Sequence, residues 1–392
     1  MLPLRGLTVV TLEHAVAGPF CTRQLADYGA RVIKVERPDG GDLGRGYDRT
    51  VNGLASYFVW LNRGKESVTL DVKHPSGRAA LERLVARADV LVQNLAPGAA
   101  ARLGLDYDTL AARDPRVIVA DISGYGDGGP YRDKKAYDLL IQAEAGLVGV
   151  TGSADQPSRC GASIADVASG MYAYSGILTA LLMRERSGRG TRVEVAMLEA
   201  LAEWMSQPLY YGHYGRRPPP RSGATHPTIA PYGPHRAGDG REVIFGLQNE
   251  REWARFCRDV LRRPELATDP RFGSNSERVA NRAEVTALIE QAFSGMTAEQ
   301  VVELLDRVGI ANGRINSVDE VMAHPQLAAR ERWRTVETGA GPMRALLPPA
   351  NVRGVEPAMG DVPVLGQHTE AVLGWIGYAP AEIAALRNEG AI

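Results

Sequence analysis

Asp166 is the residue of the sequence best placed to do chemistry, because it stands at the start of a long apolar stretch. The apolar residues after it recur in steps of three and four, which predicts a helix with one buried face. They are Val167, Met171, Tyr174, Ile177, Leu178, Leu181 and Leu182. Asp166 would lie in the first turn, where the helix dipole favours a charged carboxylate that can act as a nucleophile or base. Aspartate is equally an ordinary capping residue, so the local sequence leaves both interpretations open.

The elements before Asp166 alternate between strand and helix. Strands are predicted at 7–12, 31–36, 67–72, 89–95 and 116–123, with helical segments at 77–88 and 97–112 among those between them. This alternation is typical of a doubly wound α/β domain, whose ligands bind at the carboxyl ends of the strands.

Cations follow four of these predicted strands. They are Arg37, Lys73, Arg102 and the pair Lys134 and Lys135. Such a group suits an anion with several phosphates, although each cation alone is also explained as a solvated surface charge. Together with Asp166, the pattern suggests carboxylate chemistry on a phosphorylated carrier such as coenzyme A (CoA).

Composition and motifs exclude several other classes. The 392 residues predict two domains, and a net charge of −1 provides no basic field for nucleic acid or an anionic membrane. Cys21, Cys160 and Cys257 lack CxxC spacing, and the histidines form no metal set, so neither a disulfide framework nor a metal site is expected. No GxGxxG follows the first strand, and there is no GxSxG elbow. The first residues lack a signal-peptide core, so a cytoplasmic protein is expected.

A stretch rich in Pro, Gly and Arg at 212–223 marks the predicted domain boundary. Before it lies a large α/β domain, residues 1–210. After it, a strand at 242–247, helices at 278–293 and 297–308, and a short strand at 313–316 predict a smaller α+β domain, residues 224–330.

Seven stretches in the same order resemble the family III CoA-transferases, the group that includes formyl-CoA transferase, carnitine CoA-transferase and α-methylacyl-CoA racemase. They are LRGLTVVTLEHAVAGPFCTRQLADYGARVIKVERPDGGD, NRGKESVTLDVKHPSGR, VLVQNLAPGAAARLGLDY, RVIVADISGYGDGGPY, AYDLLIQAEAGL, SGILTALLMRERSGRGTRVEVAMLEAL and LGQHTEAVLGWIGY. The resemblance implies a Rossmann-like large domain completed by residues 331–392, a small domain, and a homodimer of two interlocked rings.

The resemblance also implies site residues. The acylated aspartate of the family falls on Asp166. Residues that line the CoA site fall on His14, Ala17, Arg37, Leu70, Lys73, Asn94, Leu95, Arg102 and Lys135. Backbone amides near Gly246 would stabilise an oxyanion. The implied reaction moves CoA between carboxylic acids through an aspartyl anhydride and an aspartyl-CoA thioester, with CoA as a substrate and no permanently bound cofactor.

Departures from the family pattern narrow the expected substrate. Formyl-CoA transferase has glutamine at Val16, tryptophan at Tyr47 and a glycine run where this chain has FGLQN, which weighs against oxalate and against a mobile glycine lid. The racemase branch has Gly-His-Asp where this chain has Ala136, Tyr137 and Asp138, and tyrosine is a poor base at neutral pH. CoA transfer with a small dicarboxylate such as succinate, mesaconate, itaconate or a malate-like acid is therefore expected. The alternatives are an α-methylacyl-CoA racemase and a non-catalytic CoA-binding protein.

Overall fold

The computed structural model describes all 392 residues, which form two compact units. The first contains Met1–Gly146, Cys160–Ser206 and Gln326–Ile392, and the second contains Leu147–Arg159 and Gln207–Pro325. Residues 147–159, which the sequence analysis assigned to the large domain, pack in the second unit. The reason is local: the Gly223 N–H donates to the Gly152 carbonyl at 2.8 Å, and the Arg221 guanidinium donates to the Ser153 and Ala154 carbonyls.

Eleven strands are present. They are β1 Thr8–Leu12, β2 Arg31–Glu36, β3 Lys65–Thr69, β4 Val90–Gln93, β5 Ile118–Ser123, β6 Arg192–Ala196, β7 Tyr232–Arg236, β8 Glu242–Gly246, β9 Asn312–Arg314, β10 Trp333–Val336 and β11 Met343–Leu346.

Eighteen α-helices and two 3₁₀ helices, Leu43–Gly46 and Pro264–Ala267, complete the fold. The α-helices are α1 Ala17–Asp27, α2 Ser56–Leu61, α3 Pro75–Val85, α4 Ala99–Arg102, α5 Tyr107–Ala111, α6 Asp138–Glu144, α7 Leu147–Val150, α8 Ile164–Ser187, α9 Met197–Trp204, α10 Ser206–Gly215, α11 Glu250–Asp259, α12 Asn275–Ala280, α13 Arg282–Phe293, α14 Ala298–Arg307, α15 Val318–Met322, α16 Pro325–Ala329, α17 Thr369–Trp375 and α18 Pro380–Asn388. No helix is both long and apolar enough to span a bilayer.

The first six strands form one parallel sheet in the order β3-β2-β1-β4-β5-β6. The strand order reverses between β1 and β4, where Val9 pairs with Val90 and Leu12 with Gln93. Ligands of doubly wound sheets bind at such a switch point, at the carboxyl ends of the strands. The remaining strands form two small antiparallel sheets, β7-β8-β9 and β10-β11. The α/β prediction is confirmed.

Each unit has its own apolar core. In the first unit, strand residues such as Ile33, Leu91 and Val119 pack with Val372 of α17 and Ile383 of α18, so the last segment of the chain forms part of the sheet's core. In the second unit the core consists mainly of aromatic and aliphatic side chains from β8 and α11 to α14. Its largest members are Trp253, Phe245, Phe256, Phe272 and Phe293.

Helix α8 buries a face that shares only Ile177 with the predicted one. Its buried residues are Ala165, Ala168, Ser169, Gly170, Ala173, Ile177, Ala180 and Arg184. The predicted face included Met171 and Leu182, whose exposed fractions are 38% and 64%. The helix packs closely on α1 and β6, and a small-residue face allows that approach. The prediction was wrong because it ranked residues by hydrophobicity alone.

The segment predicted as one helix at 97–112 is two short helices, α4 and α5. Gly104 lies between them with φ +70°, a left-handed conformation that ends the first helix. Asp106 begins the second helix, since its carboxylate accepts the Thr109 N–H at 3.0 Å.

Candidate active site

Asp166 is the third residue of α8, which follows the N-cap Ser163. The backbone N–H of Ala17, the first residue of α1, lies close enough to this carboxylate to lower its pKa. The amino termini of two helices therefore lie near this carboxylate, and two of the residues predicted for the site are neighbours.

The contact between these helices depends on Gly170, one turn further along α8. A Cβ atom placed on Gly170 would lie 2.7 Å from the Ala17 carbonyl oxygen and 3.0 Å from the Phe20 ring. Only glycine leaves room for the α1 backbone at this distance. Gly170 thus determines how near the Ala17 amide lies to Asp166.

Burial and a neighbouring carboxylate raise the pKa of Asp166 from its ordinary value of 3.8 to about 7. Burial has the largest effect, the negative charge of Asp138 adds to it, and the Ala17 N–H acts in the opposite direction. The sequence suggested that the helix dipole would keep this group charged. That expectation was wrong, because burial and the charge of Asp138 raise the pKa by more than the Ala17 N–H lowers it. The carboxyl group is therefore about half ionised near pH 7.

Asp138 is held against the first turn of α8. Its Oδ1 accepts the Ala165 N–H at 2.8 Å and the Asp166 N–H at 3.3 Å, so it caps a helix to which it does not belong. Its Oδ2 accepts from the Gln142 side-chain amide at 2.7 Å. Asp138 is therefore both a cap of α8 and an electrostatic neighbour of Asp166.

His14 and Asn94 hold the turn that precedes α1. The Asn94 amide accepts the His14 N–H at 2.8 Å and donates to the His14 carbonyl at 2.9 Å. This pair joins the ends of β1 and β4, the strands at the switch point. Val16 is the N-cap of α1 and is buried.

Tyr47 lies close enough to both Tyr137 and Asp166 for these groups to affect its pKa. Burial raises the pKa of Tyr47, and the charges of Asp42 and Asp166 and the neighbouring Tyr137 raise it further. Tyr47 also contacts the Tyr57 ring edge-on at 5.7 Å. Tyr137 is largely exposed and Tyr47 is about half exposed.

The four predicted CoA cations all follow strands of the parallel sheet. Arg37 follows β2, Lys73 follows β3, Arg102 ends the helix after β4, and Lys135 follows β5. All four side chains are exposed, and Arg37 lies 3.7 Å from Asp39. They remain available to a phosphorylated ligand at the carboxyl edge of the sheet.

The three other predicted residues differ in what they can offer a ligand. Leu70 is 1% exposed and belongs to the core beneath the sheet, and Leu95 packs against the same core while staying partly exposed. The N–H of Gly246 donates to the Ala311 carbonyl at 3.3 Å, and the next amide, Leu247, donates to the Pro231 carbonyl at 3.1 Å. These amides already have partners within the second unit, so in this structure neither is free to stabilise an oxyanion.

Sequence comparison decides the family. The model of CoA-transferase family III matches residues 4–369. This chain is a family III CoA-transferase. It is 38% identical to an acetyl-CoA:oxalate CoA-transferase of Acetobacter aceti, with 84% of each chain covered. It is 34% identical to a succinyl-CoA–D-citramalate CoA-transferase of Chloroflexus aurantiacus, with 100% of this chain and 98% of the relative covered.

The fold of the transferase agrees with that of a solved relative. A CAIB/BAIF family protein from Brucella suis superimposes with a TM-score of 0.84 at 35% identity, covering 95% of this chain and 99% of the relative. The predicted family and the predicted CoA-transferase class are confirmed, and acyl-CoA is a substrate of the family.

Sequence reasoning missed one part of the site, a buried ion cluster beneath the 13–17 turn. It contains Glu13, Lys34, Asp42 and Lys65, all fully buried. The signal was available in RVIKVE, where Lys34 interrupts a strand that is otherwise apolar at its centre. A lysine at such a position requires a buried acidic partner.

The raised pKa of Asp166 predicts the pH dependence of the transferase. We expect kcat/KM for an acyl-CoA to fall on the acid side with a midpoint near pH 7, because a carboxyl group with this pKa loses below that pH the charge that a nucleophile or base requires. Asp138→Asn removes the neighbouring charge and should lower this midpoint by about one pH unit. Glu82→Gln, at a surface carboxylate of α3, is the matched control and should leave the midpoint unchanged. An unshifted midpoint in Asp138→Asn would contradict the electrostatic role of Asp138.

Proposed function

We propose that the transferase moves CoA from an acyl-CoA to a small dicarboxylic acid, with Asp166 as the nucleophile. The observation that carries this proposal is the Asp166 carboxylate at the start of α8, near the Ala17 amide and half ionised near neutral pH. A carboxylate in that state can attack a thioester without a separate base.

The proposed reaction begins at the thioester carbonyl carbon. An Asp166 oxygen attacks it, the C–S bond breaks, and CoA leaves as a thiolate while a mixed anhydride forms. The thiolate then attacks the Asp166 carbonyl carbon, which releases the first acid as a carboxylate and leaves an aspartyl-CoA thioester. The acceptor carboxylate attacks the carbonyl carbon of this thioester, the C–S bond breaks to release the CoA thiolate again, and a second anhydride forms. The thiolate attacks the acceptor carbonyl of that anhydride, which gives the new acyl-CoA and restores Asp166.

Two features of the site would promote these steps. The Ala17 N–H faces the Asp166 carboxyl, so it is placed to stabilise the negative oxygen that develops when the thiolate attacks that group. The exposed cations Arg37, Lys73, Arg102 and Lys135 would hold the CoA phosphates between steps. Retention of the thiolate supplies a proximity effect of about 7–11 kcal/mol for well-oriented groups.

The dicarboxylate assignment is supported by the relatives. The names of two similar transferases contain oxalate, succinyl-CoA and citramalate, which are all derived from dicarboxylic acids. Tyr47 is near both Asp166 and Tyr137, and the cations Arg37, Lys73, Arg102 and Lys135 are exposed. These polar and charged side chains suit an acid with a second charged end.

The test is to trap the covalent intermediate. The enzyme is mixed with succinyl-CoA, quenched with hydroxylamine or borohydride, and the modified peptide is mapped by mass spectrometry. We expect the label on Asp166, and none on Asp138, the carboxylate next to it. A label on another residue, or turnover without any label, would disprove the mechanism.

Acceptors are compared in the same assay by the new CoA thioester that forms. Succinate, glutarate, citramalate, mesaconate, itaconate and malate should be used in preference to acetate, butyrate and oxalate. Preference for monocarboxylates would contradict the substrate class. Solvent deuterium that enters the α-carbon of a methylacyl-CoA without CoA transfer would identify racemisation instead.

We also propose that the transferase is a homodimer of interlocked rings. Apolar side chains are exposed on α8 and α9 within a single chain, among them Tyr172, Leu182, Met183 and Trp204. Light scattering should give twice the chain mass of 42.3 kDa. Tagged and untagged dimers, mixed while folded, should not form mixed dimers, because linked rings can exchange only after unfolding. Rapid exchange would contradict the interlocked arrangement, and a monomer would contradict the dimer.

A further inference from the structure

Asp42, a fully buried carboxylate, bonds to two segments that lead to Asp166. Its Oδ1 accepts the Ala15 N–H at 2.9 Å and the Gly44 N–H at 2.8 Å. Its Oδ2 accepts from the Lys34 ammonium at 2.6 Å. Both carboxylate oxygens are therefore held by fixed donors, and the two amide donors belong to different loops.

The first loop carries the Ala17 amide. Ala15 has φ +63°, a left-handed conformation that residues with a Cβ rarely adopt. Its N–H is the group that Asp42 holds, so the hydrogen bond maintains a backbone conformation that alanine would otherwise leave. Two residues further on, the Ala17 N–H lies near the Asp166 carboxylate and lowers its pKa, at the point where α1 packs on Gly170 of α8. A relaxed turn at Ala15 would redirect that amide.

The second loop carries Tyr47. Asp42 is the N-cap of the 3₁₀ helix Leu43–Gly46, through its bond to Gly44, and Tyr47 is the residue that ends this helix. Tyr47 is within electrostatic reach of Asp166. Asp42 is therefore bonded to both segments, the turn that leads to the Ala17 amide and the 3₁₀ helix that leads to Tyr47.

The base beneath Asp42 is rigid and electrically balanced. Lys34 lies between Asp42 and Glu13, at 2.6 and 3.3 Å, and Lys65 contacts Glu13 at 2.7 Å on the other side. All four side chains are fully buried, so none can move without leaving a buried charge unpaired. Glu13 immediately precedes the His14–Ala17 turn, which places the cluster directly under it.

We propose that Asp42 is a positioning residue, whose single carboxylate fixes both the turn that carries the Ala17 amide and the helical turn that carries Tyr47 against Asp166. The proposal rests on the proposed role of Asp166 as the nucleophile. It assigns Asp42 no contact with the substrate.

The test compares two substitutions at one position. Asp42→Ala removes the acceptor for Ala15 and Gly44, so kcat for succinyl-CoA should fall by about 10- to 100-fold with a smaller change in KM, as misplacement of reacting groups does. The acid-side midpoint of kcat/KM should rise by about half a pH unit, because the carboxylate loses its Ala17 donor. Asp42→Asn keeps the acceptor oxygen for Ala15 and Gly44 but loses the acceptor for Lys34, so it should be less stable than the wild type while retaining more of kcat than Asp42→Ala and an unshifted midpoint.

The matched control is Asp27→Asn. Asp27 is also buried in the first unit, at the end of α1 opposite to Ala17. Its two carboxylate oxygens accept from the Arg63 guanidinium at 2.8 and 2.7 Å. It should lower the melting temperature while leaving kcat and the pH midpoint unchanged. Identical kinetics in Asp42→Ala and Asp27→Asn would overturn the proposal, as would equal losses in Asp42→Ala and Asp42→Asn, which would indicate an effect of charge.

Ala15→Pro decides the matter if Asp42→Ala does not fold. Proline fixes φ near −65° and removes the N–H, and position 15 is partly exposed. Asp42 then loses one donor and keeps its bonds to Gly44 and Lys34, so every buried charge keeps its partner. It should reproduce the loss of kcat and the raised midpoint, and wild-type kinetics in this variant would also overturn the proposal. Absence of a label on Asp166 in the unaltered enzyme would instead disprove the proposed function, so the two failures are distinguishable.

Discussion

Asp166→Asn should abolish CoA transfer and at the same time make the transferase more stable. Turnover should fall by about 10⁴-fold or more, a loss typical of removing a catalytic nucleophile. The stability effect follows from the pKa of about 7 in the folded protein, against about 3.9 in an unfolded chain. The folded state therefore holds a proton that the unfolded state releases, and stability declines as pH rises from about 4 to about 7.

Linkage gives the size of this effect. Ionisation of Asp166 costs at most about 1.5 kcal/mol of stability at pH 5 and about 4 kcal/mol at pH 8, and asparagine avoids the cost at both. Thermal or urea unfolding of both proteins at the two pH values measures the difference. Asparagine can deamidate and regenerate aspartate, whereas alanine cannot, so Asp166→Ala serves as the control for that conversion. A stability gain that does not grow between pH 5 and pH 8 would show that burial does not raise the pKa of Asp166 as described.

Gly170→Ala should lower both stability and turnover, although a methyl group in a helix is ordinarily favourable. The added Cβ would lie 2.7 Å from the Ala17 carbonyl oxygen, so α1 must move away from α8. Overpacking of this kind costs about 1–3 kcal/mol. The displaced Ala17 amide should also reduce kcat by about tenfold or more, because small displacements of reacting groups are costly.

Gly374→Ala is the matched control for this prediction. Gly374 lies in α17 of the same unit, and no atom lies within 4 Å of the position that its Cβ would take. Alanine there should raise stability by up to about 1 kcal/mol and leave kcat unchanged. Equal behaviour of the two variants would contradict the role of Gly170 in setting the distance between the helices.

The sequence was sufficient for the features that depend on local pattern. The alternation of strands and helices predicted the parallel sheet, and Asp166 was located from its place before an apolar run. Loop placement after the strands predicted cations at Arg37 and Lys73, and these do follow β2 and β3. Such features are predictable because the direction of the chain and the edge of the sheet follow from the order of the elements.

Features that depend on close packing were not predictable in this way. The buried face of α8 is defined by Gly170 and its small neighbours, and a hydrophobic pattern does not record how closely a second helix approaches. The pKa of Asp166 depends on Asp138, 28 residues earlier in the chain, whose position only the folded structure provides. Asp42 was missed for the same reason. The residues beside it in the sequence indicate no role for it, and Lys34 and Ala15 become its partners only on folding.

The position of the last residues has a consequence for synthesis in the cell. Ala391 is fully buried, and its carbonyl accepts the Asp71 N–H at 2.8 Å beside the end of β3. Val372 and Ile383 fill the same core. A ribosome must therefore release these residues before the sheet, translated some 300 residues earlier, can close its core. We expect the nascent chain to need protection from aggregation during that interval, and a premature stop shortly before residue 369 should leave the whole first unit unfolded.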